Sequence, residues 1–96
     1  RLYMALVAGE LKKREGTFRS HLATDDDLNR YSTEDASGEL ALTHYRLQNQ
    51  LHGAALVDVR LETGRRNQIR VHFAEAGHPV LGDSRYGSGV QMPAQW

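Results

Sequence analysis

The feature that most constrains this chain is a change of hydrophobic period around the stretch Leu61 to His72. Before it, Ala54 to Leu61 alternates in the manner of a half-buried strand, with Leu56, Val57, Val59 and Leu61 mixed with Asp58 and Arg60. From Asn67 the period is helical. Ile69, Phe73 and Ala76 or Gly77 line one face, Arg66, Arg70 and Ala74 a second, and Gln68, His72 and Glu75 a third. Gly77 stands where a helix-ending glycine belongs, and Pro79 follows it. A Gly-containing turn joins strand to helix.

The same stretch concentrates charge. Three arginines fall between positions 65 and 70, and no acidic residue lies between Glu62 and Glu75. The whole chain has a formal net charge of +0, so this local excess stands out. It points to a phosphate, a carboxylate or both. Acidic residues gather in the middle, at Asp25-Asp26-Asp27, Glu34, Asp35 and Glu39. Basic ones lie in the flanks, at Lys12-Lys13-Arg14 and from Arg60 to Arg70.

The 96 residues suit one small domain or part of a larger one, and a chain beginning with Arg reads as cut from something longer. With no cysteine, disulfides and thiolate chemistry are excluded. The longest apolar run, Met4 to Ala8, is too short to span a membrane.

Leu2 to Val7 reads as a buried strand carrying Tyr3, closed by Gly9. Glu10 to Gly16 is a charged loop, and Thr17 to Leu22 a short strand. Thr24 to Asn29 is an acidic loop, Arg30 to Thr33 another short strand, and Glu34 to Gly38 a turn. Leu40 to Leu47 alternates, Gln48 to Gly53 turns the chain, and Ala54 to Leu61 completes an antiparallel hairpin. The tail from Gly87 to Trp96 shows no period.

Arg66 and Arg70, four apart, are expected to project from one helical face, where a guanidinium can grip a carboxylate or phosphate with two parallel hydrogen bonds. Two such arginines alone more often mark a solvated helix face. Thr63-Gly64-Arg65 shifts the balance, because a Gly turn before a helix exposes backbone N–H groups at its positive end. Tyr3 is either a core tyrosine or a ring that stacks on a flat ligand such as a base. The five histidines are scattered without metal-ligand spacing, which argues against a metal site. Asp83 reads most simply as a turn former or helix cap, and Asp25 to Asp27 as a solvated loop.

Several motifs together carry a family resemblance. Thr63-Gly64-Arg65-Arg66-Asn67-Gln68-Ile69-Arg70-Val71-His72, then Gly77-His78-Pro79-Val80-Leu81-Gly82-Asp83 and Tyr86-Gly87, resembles the C-terminal half of the RluA-type RNA pseudouridine synthases. Arg1 to Gly9 is similar to that family's tyrosine motif, and Ala41-Leu42-Thr43-His44-Tyr45 to one of its strands. The resemblance implies an α+β fold, a mixed, largely antiparallel sheet with one main helix and a central cleft. Residues 1–87 would form the C-terminal portion of the catalytic domain and residues 88–96 an irregular tail. It implies that Tyr3 stacks on the target uracil and serves as base, and that Arg70 pairs with the catalytic aspartate. Ile69 and Leu81 would wall the pocket, Arg65 and Gln68 belong to the same motif, and the remaining arginines, Arg66 among them, would hold RNA phosphates.

The implied chemistry is isomerisation without cofactor or metal. Uracil is detached from C1′, rotated and rejoined through C5, in a uridine of cytoplasmic ribosomal or transfer RNA flipped out of its stack. Two departures stand out. Asn67 replaces the family's usual histidine, and the nucleophile's His-Arg-Leu-Asp motif is not in this chain. A fragment inactive alone is therefore expected. The competing readings are a non-catalytic RNA-binding module derived from the family, and a structural relic.

Overall fold

The computed structural model describes residues 2–87; Arg1 and the tail from residue 88 lie outside the described residues. Five strands and one helix follow one another: β1 (Leu2–Ala8), β2 (Glu15–Thr24), β3 (Arg30–Thr33), β4 (Glu39–Leu51), β5 (Ala54–Leu61) and α1 (Gln68–Glu75). The strands form a single sheet in the order β1-β5-β4-β2-β3, and every pairing between them is antiparallel.

Alternation sorts the strand residues to two faces. One face carries Val7, Ala55, Val57 and Val59, all fully buried beneath Phe73 of α1. Phe73 meets Phe18 edge-on at a centroid distance of 5.1 Å and Tyr45 at 5.6 Å. Tyr45 and Phe18 stack at 5.4 Å. Gly16 lies opposite Tyr45 in the ladder, and a Cβ there would come within 2.8 Å of the ring, so the aromatic cluster requires glycine. A second cluster, Leu22, Ala41 and Val71, anchors the other flank of the helix.

Two expectations need correction. The polar run Gln48 to Gln50 continues β4 and does not turn. A register shift between Leu47 and Asn49 marks a bulge, which breaks the alternation that a strand is recognised by. Gln50 then reaches back to the β1–β2 loop, accepting from Leu11 N–H and donating to the Gly9 carbonyl. The chain reverses instead at His52-Gly53.

The first half of β1 is not buried: Leu2 is 80% exposed, Met4 61% and Tyr3 41%. β1 is an edge strand, and only its second half is covered. Residues 79–81 lie along it, with Ala8 N–H donating to Pro79 O and Leu81 N–H to Leu6 O.

The helix buries apolar and polar side chains together. Gln68, Val71, His72 and Phe73 are its buried residues, while Ile69 is half-buried. Polar Gln68 and His72 are acceptable inside because the sheet meets them with Thr43 and Ser20. The C-terminus agrees with expectation. Gly77 is left-handed at φ +88°, His78 N–H bonds Phe73 O and Gly77 N–H bonds Ala74 O, the paired bonds of a Schellman cap.

Candidate active-site cleft

The turn between β5 and α1 is held from inside by Gln68. Its Oε1 accepts the Thr63 hydroxyl at 2.8 Å and Arg65 N–H at 3.1 Å, and its Nε2 donates to Leu42 O and Thr43 Oγ1, both at 2.9 Å. The side chain has no polar valence left for a ligand. The same bonds occupy one of the donors of the anion nest expected at Thr63-Gly64-Arg65. Arg65 N–H is already taken by Gln68, so the turn offers that donor to the protein's own amide and not to a bound anion.

Asn67 then takes the left-handed conformation at φ 60°, one that asparagine tolerates, and lets the helix start at Gln68. Arg66 accordingly precedes the helix. Its guanidinium donates to Leu28 O at 3.3 Å in the β2–β3 loop, and it does not share a helical face with Arg70. Arg65 turns to the Leu40 carbonyl at 2.8 Å, with Glu39 3.8 Å away.

Arg70 is the arginine that α1 itself presents. Asp83 grips it side-on, accepting from Nε at 2.9 Å and Nη2 at 2.7 Å. The Asp83 side chain is 2% exposed, against 40% for Arg70. The guanidinium holds the Asp83 carboxyl below the usual carboxylate range, and the carboxylate raises the arginine further. Asp83 is also the turn former expected of it, since Oδ1 accepts Arg85 and Tyr86 N–H, each at 3.1 Å. The pairing with Arg70 joins positions thirteen apart across a helix and a loop, and no local pattern announces it.

A cleft of about 490 Å³ opens beside this pair, within the size range of small-molecule sites. Ile69, Leu81 and Leu6 supply apolar walls, and Arg65, Asn67 and Arg70 a polar rim. Of the residues singled out from the sequence, Arg65, Gln68, Ile69, Arg70 and Leu81 therefore converge on one cleft. Arg66 stays outside its lining. Tyr3 lines an adjoining hollow of about 890 Å³ with Arg46, Arg60 and His44; Met4 borders both spaces. In that larger hollow His44 is bonded to Glu62 and lowers its pKa. The smaller cleft is the better candidate for chemistry, because it alone holds a fixed and partly free guanidinium against apolar walls.

His72 was missed as an organising residue. Its ring bridges Thr43 Oγ1 at Nδ1, 2.7 Å away, and Ser20 Oγ at Nε2, 2.9 Å away. Ser20 and Ser32 hydroxyls meet at 2.8 Å, and Ser32 also contacts Glu75 Oε1. The Glu75 carboxylate can only accept, so Ser32 donates to it, Ser20 to Ser32 and His72 Nε2–H to Ser20. Burial pushes the His72 pKa down, which keeps the ring neutral in this chain of donors; Glu75 opposes weakly. The sequence signal was available in principle: Ser20 and Thr43 are polar positions on the strand faces that turn inward.

An α+β domain with an arginine-rimmed, apolar cleft is suited to a flat ring next to an anion. Residues 1–75 match the RNA pseudouridylate synthase family, and the chain belongs to it. It is 38% identical over 94 residues to the uncharacterized RNA pseudouridine synthase YhcT of Bacillus subtilis, covering 96% of this chain and 31% of that protein. It is 41% identical over 90 residues to the ribosomal large subunit pseudouridine synthase D of Zymomonas mobilis, covering 91% and 28%. The chain thus spans less than a third of the length of these relatives. Among solved structures, human RNA pseudouridylate synthase domain containing 1 superposes with a TM-score of 0.79 at 25% identity, over 92% of this chain and 40% of that one. Among the described residues no helix is long and apolar enough to cross a membrane, and no group of three acidic or histidine side chains is placed to hold a metal.

Proposed function

We propose that this chain forms one wall of the catalytic cleft of an RNA pseudouridine synthase that acts on ribosomal or transfer RNA in the cytoplasm. The observation that carries the proposal is Arg70, oriented by Asp83 and facing an apolar cleft walled by Ile69 and Leu81. A flipped uracil would lie between those apolar side chains, with Tyr3 reaching it from the exposed start of β1. Arg70 would hold the nucleophilic aspartate ionised and aimed at the sugar. That aspartate would come from protein beyond these 96 residues, in keeping with relatives more than three times as long.

In the reaction the C1′–N1 bond of uridine breaks, uracil turns, and a C1′–C5 bond forms. The hydrogen at C5 is then lost as a proton, which is the step assigned to Tyr3 as base, and N1 takes up a proton, so that the product is an isomer of the starting nucleoside. Arg65 and Arg66, at the rim and beside it, are suited to RNA phosphates. Gln68 serves the site by holding the turn from which Arg65 and Arg70 project.

The test is tritium release from RNA labelled at uridine C5, using the intact protein that contains this chain. Arg70→Ala and Tyr3→Ala should each lower the single-turnover rate by about 10² or more, the scale of losing a preorganised charge or a proton-transfer group. Rates unchanged by both substitutions would defeat the assignment. RNA binding that persists with no tritium release from the unaltered protein would favour a non-catalytic binding module.

A further inference from the structure

We propose that Asp83, with Tyr86 and Asn67, is a positioning device that fixes the direction in which Arg70 presents its guanidinium. The inference rests on the reading of Arg70 as the partner of the nucleophile, and adds what makes that partnership geometrically possible. A guanidinium has five N–H bonds in a rigid plane. Asp83 takes the Nε–H and one Nη2–H, the side-on edge of the guanidinium. The adjoining end-on edge, formed by one Nη1–H and the second Nη2–H, remains for a second carboxylate. Nη1 also donates a long bond to Asn67 Oδ1 at 3.4 Å, which takes one of its two N–H groups and leaves the other.

Tyr86 supports the plane from one side. The Arg70 guanidinium carbon lies 5.1 Å from the centre of its ring, within cation–π range. The Tyr86 hydroxyl is pinned in turn by Arg30 N–H at 3.0 Å and by Asn67 Nδ2 at 3.2 Å. Asp83 is equally fixed. Its N–H donates to Val80 O, and its carbonyl accepts Gly87 N–H at 2.9 Å. A Cβ at Gly87 would come within 2.7 Å of that carbonyl, so the turn has no slack. The same segment is tied to β1 through Leu81 N–H and Leu6 O, so one short turn places both the Leu81 wall and the Arg70 anchor. This arrangement also gives Asn67 a task that needs no titratable ring: bonding Tyr86 and facing Nη1.

Asp83→Asn in the intact protein tests the device. The Oδ1 that accepts Arg85 and Tyr86 N–H is kept, but an NH₂ group now faces the Arg70 Nε–H. The guanidinium is driven out of register while the turn is preserved. The expected result is a kcat reduced about 10²-fold, the scale of a small misplacement at a reacting centre, with KM changed less than about threefold. In an Arg70→Ala background the same substitution should cause no further loss, because Asp83→Asn keeps the turn bonds to Arg85 and Tyr86 and alters only what faces Arg70. Full activity of Asp83→Asn beside an inactive Arg70→Ala would overturn the inference and leave the enzyme reading intact. Losses that multiply in the double variant would also overturn it, as would a raised KM with kcat unchanged. An unaltered protein without activity would instead sink the enzyme reading. Should Asp83→Asn fail to fold, NMR of the unaltered intact protein decides. The Arg70 Nε–H must exchange at least tenfold more slowly than that of exposed Arg46, and exchange at the same rate overturns the proposal.

Discussion

Gln68→Glu is the substitution whose outcome the site geometry fixes most tightly. The new side chain has the same shape, and one carboxylate oxygen still accepts from Thr63 and Arg65. The other replaces an NH₂ that donated to Leu42 O and Thr43 Oγ1. Thr43 can turn its proton toward the new oxygen, but His72 Nδ1 then loses its donor. Leu42 O has no such freedom and faces the oxygen directly. Gln68 is 2% exposed, so water cannot relieve the clash.

An uncompensated buried charge of this kind costs about 3–5 kcal/mol. That is a large share of the roughly 5–15 kcal/mol that holds a domain together. Protonation restores a donor toward Leu42 O, so the folded state raises the carboxyl pKa above its unfolded value of about 4.3. A carboxyl with a raised folded pKa destabilises as pH rises through the interval between the two values. Urea unfolding of the variant and the unaltered chain, paired at pH 7 and at pH 5, measures the difference at each pH. A penalty below about 1 kcal/mol at pH 7, the size of one ordinary hydrogen bond, would rule out an unrelieved buried charge. So would a penalty no smaller at pH 5.

Other expectations follow from the same contacts. Phe73→Ala removes the side chain that joins α1 to both Phe18 and Tyr45 and should cost about 3–5 kcal/mol by thermal or urea unfolding. Since His72 is held neutral with a depressed pKa, the unfolded chain takes up a proton that the folded chain refuses. Stability should therefore fall as pH drops below about 6.5, by at most about 1.4 kcal/mol per unit until the folded pKa is reached. His72→Gln should flatten that slope between pH 5 and 7. Gly77→Ala meets no atom within 4 Å, so it should cost only the left-handed backbone penalty of about 1–2 kcal/mol.

Much of the sheet was legible because its strands alternate. Arg30 to Thr33 and Ala54 to Leu61 agree with β3 and β5 residue for residue. β4 was read short at the bulge, where two-residue periodicity fails by construction. The helix was legible in extent but not in orientation. A pattern reading assumes that apolar residues face inward, whereas Gln68 and His72 are buried by matching polar positions on strands far away in sequence. The cleft was legible through its motif, which brought Ile69, Arg70 and Leu81 together. The grip of Asp83 on Arg70 was not, because a turn-forming aspartate and an ion-pairing one look alike until the fold closes. The diversion of Arg66 to Leu28 depended likewise on one left-handed residue, Asn67, that shortens the helix by a position.

If these residues make one wall of a pseudouridine-forming cleft, its nucleophile is supplied from elsewhere in the protein. Tritium release from C5-labelled bulk ribosomal and transfer RNA tests it most directly, with the 96-residue chain and the intact protein assayed side by side. Release, with matching pseudouridine, is expected from the intact protein and none from the chain alone. Release by the isolated chain, or none by the intact protein on either RNA, would contradict it.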